Sequence, residues 1–311
     1  MIYRLLGSFV LLCLPACALV QLALPVQPAN VVEVSDLNYA GTRNSRQTLN
    51  LYLPKSAPVK PLPLIVFIHG GGWSGGSKES AGAFLFPLLK DGAYVGASIN
   101  YRLTDEGPHP LQIQDCKGAI RWLRMHATEY HIDKNRIAVY GHSAGAHLAC
   151  LLGTSGGIKE LEGTVGGNLD QSSRVTCAVS FAGPVDFLAP SVKESTVDPE
   201  DPRSYTGRLL GGRTSEHKAV ARSASPVTYV TKDDAPFLLV QGSKDTLVSP
   251  KQPLEFDRVL KSAGVPSALL IGEGGGHLFF SKDIDVKVRT FMDHWLWGRS
   301  GEVSSGPVAI Q

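Results

Sequence analysis

The pentapeptide Gly141-His142-Ser143-Ala144-Gly145 constrains the fold of this chain more than any other stretch. It follows the apolar run 137–140 and precedes the helix-like run 146–152. A chain that leaves a strand and enters a helix within two residues forces strained backbone angles on the turn residue, and flanking glycines remove side chains that would clash. We therefore expect Ser143 to present its hydroxyl at a helix N-terminus as a candidate nucleophile. The alternative is an ordinary glycine-rich turn whose serine only caps the helix.

Strand-like apolar runs alternate with segments of helical spacing along most of the chain. Residues 64–68 form a continuous apolar run typical of a strand covered on both faces, whereas apolar residues recur at helical spacing within 111–130. Residues 31–34 and 48–53 are typical of an antiparallel hairpin at the sheet edge. The alternation predicts an α/β protein with a mainly parallel eight-stranded sheet and helices on both faces. A composition of 43% hydrophobic and 19% charged residues suits such a globular core.

The predicted domain covers residues 31–297, and two stretches interrupt its alternation. Residues 154–174 are rich in glycine and polar residues, and residues 184–230 carry many proline, serine and charged residues. We expect both to be loops or a small cap at the carboxyl ends of strands, where ligands bind in open α/β sheets. Residues 298–311 are small and polar and are predicted to be a flexible tail.

The N-terminus has the pattern of an export signal. Its first 14 residues hold one cation, Arg4, and then an apolar run that is too short to span a bilayer but typical of a signal peptide. The sequence therefore predicts a signal peptide over residues 1–18, a proline-containing linker over residues 19–30, and an exported protein that is periplasmic, extracellular or lipid-anchored. The alternative is an apolar tail on a cytosolic enzyme.

Two processing patterns overlap in this segment. Leu14-Pro15-Ala16-Cys17 resembles a bacterial lipobox, in which Cys17 would be lipidated and would attach the protein to a membrane. Ala16-Cys17-Ala18 also fits the small-x-small cleavage site of a soluble secreted protein.

Charge and cysteine content argue against a nucleic-acid-binding protein and against a disulfide-rich fold. A formal net charge of +2 without a Lys/Arg cluster gives no basis for nucleic acid as a partner. The three cysteines beyond residue 30, Cys116, Cys150 and Cys177, each lie in an apolar segment. They are expected to be buried free thiols rather than a disulfide framework.

His69-Gly70-Gly71-Gly72-Trp73 directly follows the predicted strand at 64–68. Consecutive glycines let the backbone approach a ligand closely and direct several N–H groups at one point. The amides of Gly71 and Gly72, with that of Ala144, can hold the oxyanion of a tetrahedral intermediate. A phosphate-binding loop and a flexible turn are the alternatives, but the G-K-[ST] that accompanies phosphate loops is missing.

A serine nucleophile needs a base, and His277 is the best-placed candidate. It ends the glycine-rich segment 272–277, which follows a predicted strand at 268–271. His294 lies in the last predicted helix, and His217 lies in a polar insertion without neighbouring glycines, so packing or surface roles are expected for both. His142 and His147 are too close to Ser143 in sequence to reach around to its hydroxyl and are expected to be supports.

The base needs a carboxylate that orients it, and Asp245 is the first candidate. It directly follows the predicted strand at 237–240, the expected place for the acid in a Ser, then Asp or Glu, then His chain order. The rival is Asp186, which follows the preceding strand and is alternatively expected to tie its own loop down.

Taken together, these motifs resemble the α/β-hydrolase superfamily, and most of all the bacterial hormone-sensitive-lipase-like esterases and the bifunctional feruloyl and acetyl-xylan esterases. The resemblance runs from about residue 31 to residue 297 and rests on HGGGW at 69–73, NYRL at 100–103, GHSAGAHLA at 141–149, the Asp245 loop and the His277 loop. It implies Ser143 as nucleophile, His277 as base, Asp245 as acid, and Gly71, Gly72 and Ala144 as oxyanion donors, without a metal or organic cofactor.

Two features depart from the hormone-sensitive-lipase-like pattern. Predicted strands stand where that group has a helical N-terminal cap, and residues 100–106 read Asn-Tyr-Arg-Leu-Thr-Asp-Glu instead of Asp-Tyr-Arg-Leu-Ala-Pro-Glu. A missing N-terminal cap predicts an open cleft that admits acyl groups on bulky carriers. Trp73 is expected either to wall the acyl pocket or to pack in the core.

The resemblance implies a serine carboxylic-ester hydrolase that forms an acyl-enzyme. Its expected substrates are short-chain acyl esters or acetyl and feruloyl esters, either small molecules or linked to polysaccharide. A serine peptidase of the same fold and a non-catalytic ligand-binding homologue are the alternatives.

Overall fold

A computed structural model describes residues 26–310 of the chain. Its strands are β1 (Val31–Asn38), β2 (Thr48–Pro54), β3 (Leu62–Ile68), β4 (Val95–Ile99), β5 (Ile132–His142), β6 (Cys177–Phe181), β7 (Phe237–Gly242), β8 (Ser267–Glu273) and β9 (Gly306–Ala309). Its α-helices are α1 (Gly82–Leu89), α2 (Leu111–Met125), α3 (Ala144–Thr154), α4 (Lys159–Glu162), α5 (Tyr205–Leu210), α6 (Lys218–Ala224), α7 (Lys251–Ser262) and α8 (Lys282–Trp297).

All the described strands form one sheet in the order β1-β2-β4-β3-β5-β6-β7-β8-β9. β1 and β2 pair antiparallel, β2 pairs antiparallel with β4, and every later pairing is parallel. The α/β class, the parallel sheet and the N-terminal antiparallel hairpin are confirmed. The predicted count of eight strands was wrong, because the described sheet has nine.

The additional strand lies in the segment predicted to be a flexible tail. Gly306 to Ala309 pair in parallel with β8, from Leu270 opposite Gly306 to Glu273 opposite Ala309. Val308 is buried against the same hydrophobic cluster as α8. A four-residue strand with one inward side chain carries no visible apolar pattern, and the free edge of β8 provides the hydrogen bonds that order it.

Two hydrophobic clusters, one on each face of the sheet, make the core. α1 and α8 pack on one face through residues such as Leu85 and Phe291, and α2, α3 and α7 pack on the other through residues such as Ile120 and Phe256. β3, whose seven residues are all buried, is covered on both faces as its continuous apolar run predicts.

The two insertions lie at opposite edges of the sheet. Residues 184–230, hereafter the cap, follow β6 and contain α5 and α6, so they lie at the carboxyl edge. Residues 154–174 connect α3 to β6 and therefore lie at the amino edge, where Glu162 pairs with Lys117 and Arg121 of α2. Our prediction that both insertions lie at the carboxyl edge was wrong for 154–174, because a connection from a helix to a parallel strand runs along the amino edge.

Cys116, Cys150 and Cys177 are buried free thiols, as predicted. Across residues 26–310, no helix combines the length and apolarity needed to cross a bilayer. The signal peptide and the lipobox predicted within residues 1–18 lie outside the described residues.

Candidate active site

Ser143 occupies a strained turn between β5 and α3. Its backbone angles are φ 55° and ψ −120°, a combination that residues other than glycine rarely adopt. A methyl group on Gly141 would lie 2.2 Å from the Gly145 carbonyl oxygen, and one on Gly145 would lie 2.0 Å from the Ile68 carbonyl oxygen. Both positions therefore require glycine, because neighbouring backbone atoms leave no room for a side chain. The Ser143 hydroxyl makes no capping hydrogen bond to α3, so the role of a simple helix cap is excluded.

The Ser143 hydroxyl instead contacts His277. Ser143 Oγ lies 2.8 Å from His277 Nε2, and His277 Nδ1 lies 2.8 Å from Asp245 Oδ2. Because β7 and β8 are parallel neighbours, the loops that follow them bring Asp245 and His277 together at the carboxyl edge of the sheet. In the tautomer that this geometry favours, the serine hydroxyl donates to Nε2 and Nδ1–H donates to the carboxylate.

Asp245 is buried and accepts hydrogen bonds on both oxygens. Oδ1 accepts from the N–H groups of Leu247 and Val248 at 2.8 and 3.0 Å, and Oδ2 accepts from the Gln241 side chain at 2.8 Å as well as from His277. Burial by itself raises the pKa of Asp245, but the hydrogen bonds from His277, Val248 and Leu247 outweigh it and the pKa is lowered. A charged carboxylate at this place stabilises a protonated imidazole on His277.

The glycine loop, residues 69–76, lies beside Ser143 with unusual backbone angles at its centre. Gly71 has φ 112° and Gly72 has φ 57°. A methyl group on Gly71 would lie 2.3 Å from the Gly75 carbonyl oxygen, and one on Gly72 would lie 2.4 Å from the ring of Tyr205. Within the described chain, the backbone N–H groups of Gly71, Gly72 and Ala144 donate to no protein acceptor. All three residues line the same cavity as Ser143 and His277.

Trp73 was expected either to wall the acyl pocket or to pack in the core, and it does both: it lines the cavity and belongs to a core cluster. Its side chain is 4% exposed, and its indole N–H donates to His147 Nδ1 at 3.2 Å. His147 Nε2–H in turn donates to the Ala224 carbonyl oxygen at 2.6 Å, which fixes the tautomer of the ring. Burial lowers the pKa of His147 to about 3, so the ring is neutral.

His142 contacts the backbone of the His277 loop and supports it. Its Nε2 lies 3.2 Å from the His277 carbonyl oxygen, and the two rings are 5.3 Å apart. Burial, with a smaller effect of the His277 charge, lowers the pKa of His142 to about 4. Its ring stacks on Phe84.

The cavity at Ser143 has a volume of about 260 Å³ and is closed on one side by the cap. The Trp73 and Phe187 rings lie 5.9 Å apart in its wall. Residues of the cap, the Asp245 loop and α7 complete the lining, and most of them are apolar. The sequence analysis identified none of them individually: Pro184, Phe187, Val192, Ser195, Val197, Tyr205, Thr206, Leu247, Val248, Ser249 and Gln252.

The rival residues lie elsewhere. Asp186 accepts a hydrogen bond from the N–H of Leu188 at 2.8 Å and so ties its own loop down. His217 precedes α6, and His294 of α8 lies 3.1 Å from the Arg299 carbonyl oxygen. Within residues 26–310, no group of three His, Cys, Asp or Glu side chains is arranged to hold a metal ion.

A nine-stranded, mainly parallel sheet with a serine on a strained strand-to-helix turn, hydrogen-bonded to a histidine and then to an aspartate, defines an α/β-hydrolase. Residues 49–260 match the BD-FAE family, and the chain belongs to that family.

Individual relatives agree with this assignment. Esterase LipC of Mycobacterium tuberculosis is 32% identical over 75% of this chain, and the matched region is 57% of LipC. A truncated form of a carbohydrate esterase from gut microbiota has a TM-score of 0.79 and 28% identity, with 88% of this chain and 99% of that chain covered. A bifunctional GH43-CE of Bacteroides eggerthii has a TM-score of 0.77 and 29% identity, with 85% of this chain but 35% of that chain covered.

Proposed function

We propose that this protein is a serine carboxylic-ester hydrolase that works through an acyl-enzyme on Ser143. The observation that carries this proposal is the position of His277, whose two ring nitrogens lie 2.8 Å from Ser143 Oγ and 2.8 Å from Asp245 Oδ2. A base in that position accepts the serine proton while the charged carboxylate stabilises the imidazolium that forms.

The reaction has two halves. Ser143 Oγ attacks the ester carbonyl and gives its proton to His277 Nε2, and His277 then returns that proton to the leaving alcohol as the acyl-enzyme forms. A water molecule, deprotonated by His277, attacks the acyl-enzyme, and the proton passes back to Ser143 as the carboxylic acid leaves. The enzyme is unchanged at the end of the cycle.

Negative charge on the carbonyl oxygen would be held by the N–H groups of Gly71, Gly72 and Ala144. These groups are without internal acceptors among the described residues and line the cavity at Ser143. Donors that are already in place need no reorganisation as charge develops, and one such donor is worth about 3–4 kcal/mol of transition-state stabilisation.

The cavity supports short-chain acyl esters and carbohydrate-linked acetyl or feruloyl esters as substrates. Its volume of about 260 Å³ suits a small acyl group, and rings from Trp73 and Phe187 suit apolar or aromatic ones. The first element among the described residues is β1 at a sheet edge, so no N-terminal helix covers the cleft within residues 26–310. The likeness to a carbohydrate esterase supports the carbohydrate-linked class.

A panel of p-nitrophenyl acetate, butyrate and decanoate, methyl ferulate, acetylated xylan and a peptide amide tests this proposal. We expect hydrolysis of short-chain p-nitrophenyl esters and of at least one carbohydrate-linked or feruloyl ester. Cleavage of the amide without the esters would instead favour a peptidase. Binding without turnover of any substrate would favour a non-catalytic homologue.

We also propose that the protein is exported, on the pattern of residues 1–18 alone. Expression of the full chain in a bacterial host, with intact-mass analysis of the N-terminus in each cell fraction, tests this. A lipidated Cys17 in the membrane fraction, lost in Cys17→Ala, supports the lipoprotein, and a cleaved soluble chain supports secretion. An intact Met1 in the cytosol would contradict export.

A further inference from the structure

Gln241, near the end of β7, is a polar side chain in the core of the sheet. It is fully buried, and its amide nitrogen lies 2.8 Å from Asp245 Oδ2 and 3.2 Å from the Val248 carbonyl oxygen. The opposite orientation of the amide would place its oxygen against two acceptors, so both of its N–H groups point at the Asp245 loop. One side chain therefore holds the start and the middle of that loop together.

The amide oxygen of Gln241 indicates that this residue is not explained by stability alone. Among residues 26–310, Gln241 Oε1 is buried without a hydrogen-bond partner. A buried acceptor without a partner costs free energy, and an apolar residue of the same length would avoid that cost. Stability alone therefore does not favour glutamine at this position, whereas the two N–H groups it directs at the Asp245 loop do.

Gln241 and His277 share one oxygen of Asp245. Oδ1 accepts hydrogen bonds from the backbone N–H groups of Leu247 and Val248. The Gln241 amide donates to Oδ2, and together these donors orient the carboxylate so that Oδ2 faces the His277 imidazole. An N–H bond to Oδ2 also stabilises the charge on the oxygen that faces His277 and so makes that oxygen a weaker partner for an imidazolium.

We propose that Gln241 is a positioning residue that orients Asp245 toward His277 and sets the pH range in which His277 acts as a base. This proposal rests on the proposed function for its kinetic readout, but not for its spectroscopic one. Gln241 does not line the cavity, so it is not placed to contact a substrate there.

The titratable groups around His277 determine in which direction its titration should move when the Gln241 donor is removed. His142 faces it from β5, Asp245 faces it from the Asp245 loop, and exposed Lys244 and Glu273 lie on the neighbouring loop and strand. Because burial lowers the pKa of His142 to about 4, that ring stays neutral above this pH. Removal of the Gln241 donor changes neither the number nor the charge of these groups, and it concentrates negative charge on Oδ2. His277 should then hold its proton to higher pH.

Gln241→Met keeps the length of the side chain and removes the donor. We expect the acid limb of the pH profile of kcat/KM to move to higher pH by about half a unit to one unit. At pH values above the limb we expect kcat to fall about 10-fold with KM unchanged, since the carboxylate is less well oriented. Gln241→Asn keeps an amide that is one carbon too short, and we expect the same loss of rate from it.

Gln112→Met is the matched control. Gln112 in α2 is also fully buried, also has an unpartnered Oε1 within the described chain, and also donates to a backbone carbonyl, that of Gly107 at 2.8 Å. It lies outside the cavity lining, and among the described residues its side chain makes no hydrogen bond to the Asp245 loop, so Gln112→Met matches the loss of a buried amide without altering a triad hydrogen bond. We expect its pH profile to superimpose on that of the unmodified protein.

The NMR titration of the His277 ring signals, which requires no substrate, provides the second readout. An upward shift of the His277 titration in Gln241→Met, absent in Gln112→Met, supports the proposal even if every ester in the panel proves inert. A His277 titration in Gln241→Met that is unchanged or shifted to lower pH would overturn it. An equal shift in Gln112→Met would also overturn it, because the effect would then follow from loss of any buried amide.

Discussion

The indole N–H of Trp73 donates to His147 Nδ1 at 3.2 Å, and this bond ties the glycine loop to the first turn of α3. His147 continues the connection through its Nε2–H to the Ala224 carbonyl oxygen in the cap. Three parts of the cavity wall, from the glycine loop, α3 and the cap, are therefore joined by one neutral histidine. We therefore expect the position of the candidate oxyanion donors to depend on this bond as well as on the glycines themselves.

Trp73→Phe should destabilise the protein and slow it. The change leaves His147 Nδ1 buried without a donor, which costs about 1–3 kcal/mol in the free energy of unfolding. We expect the urea midpoint to fall accordingly and kcat/KM to fall with it, because the glycine loop loses its anchor. Urea unfolding and ester kinetics measure the two effects.

Trp297→Phe is the control for this change. The indole N–H of Trp297 is buried without a partner among the described residues, so the same substitution breaks no hydrogen bond there. We expect a smaller loss of stability and unchanged kcat/KM. Equal losses in both variants would show that the Trp73 to His147 bond contributes nothing specific.

His147→Gln should make stability less sensitive to acid. The pKa of His147 is lowered to about 3 in the folded protein, so between its ordinary value near 6.5 and 3 the unfolded chain binds a proton that the folded chain does not. Its contribution to stability is therefore complete above pH 6.5 and is lost as the pH falls toward 3.

We expect the slope of unfolding free energy against pH, measured by urea titration from pH 7 to pH 4, to decrease by about 1.4 kcal/mol per pH unit in His147→Gln. His69, His109 and His142, whose pKa values burial lowers to about 4, retain part of the acid sensitivity. Gln112→Met, which removes a buried polar side chain without removing a titratable group, is the control and should leave the slope unchanged. An unchanged slope in His147→Gln would contradict a buried neutral ring.

Gly72→Ala should be rescued in part by Tyr205→Ala. A methyl group on Gly72 would lie 2.4 Å from the Tyr205 ring, so the first change forces either the glycine loop or α5 to move. Removing the ring makes room, although the backbone angle at Gly72 remains unfavourable. In a double-mutant cycle on kcat/KM we expect a favourable coupling of about 1 kcal/mol. Strictly additive effects would mean that α5 does not constrain the loop.

Asp245→Asn should reduce kcat by about 10³ to 10⁴, because the amide no longer fixes the imidazole tautomer or stabilises its charge. Asp186→Asn provides the comparison, since Asp186 only accepts a hydrogen bond from Leu188 and an amide oxygen replaces that acceptor. We expect this second variant to keep its rate. A large loss in Asp186→Asn with near-normal Asp245→Asn would exchange their roles.

The placement of Ser143, Asp245 and His277 at one edge of the sheet follows from chain order alone. Each comes directly after an apolar run, and parallel strands end at the same edge, so alternation together with glycine-rich turns is sufficient to predict it. Chain order also places residues 154–174 at the opposite edge, because they connect a helix to the next parallel strand. The prediction that they lie beside the site was based on their polar, glycine-rich composition and was wrong.

Other features have no local pattern to find. The strand Gly306–Ala309 depends on the free edge of β8 more than on its own residues. The cap residues that line the cavity are scattered through a polar segment, and only tertiary packing selects them. Gln241 did leave a signal, because it is a polar residue directly after the apolar run 237–240, but only the structure shows that β7 extends through it and is buried along its whole length.

The most direct test of the central claim is covalent labelling of the full chain with a short-chain alkyl phosphonate ester, followed by intact-mass analysis and peptide mapping. We predict a single phosphonyl adduct on the peptide that contains Ser143, loss of ester hydrolysis in proportion to labelling, and neither adduct nor turnover in a folded Ser143→Ala variant. An adduct on a different residue, or a Ser143→Ala variant that hydrolyses esters at the unmodified rate, would contradict the assignment of Ser143 as the nucleophile.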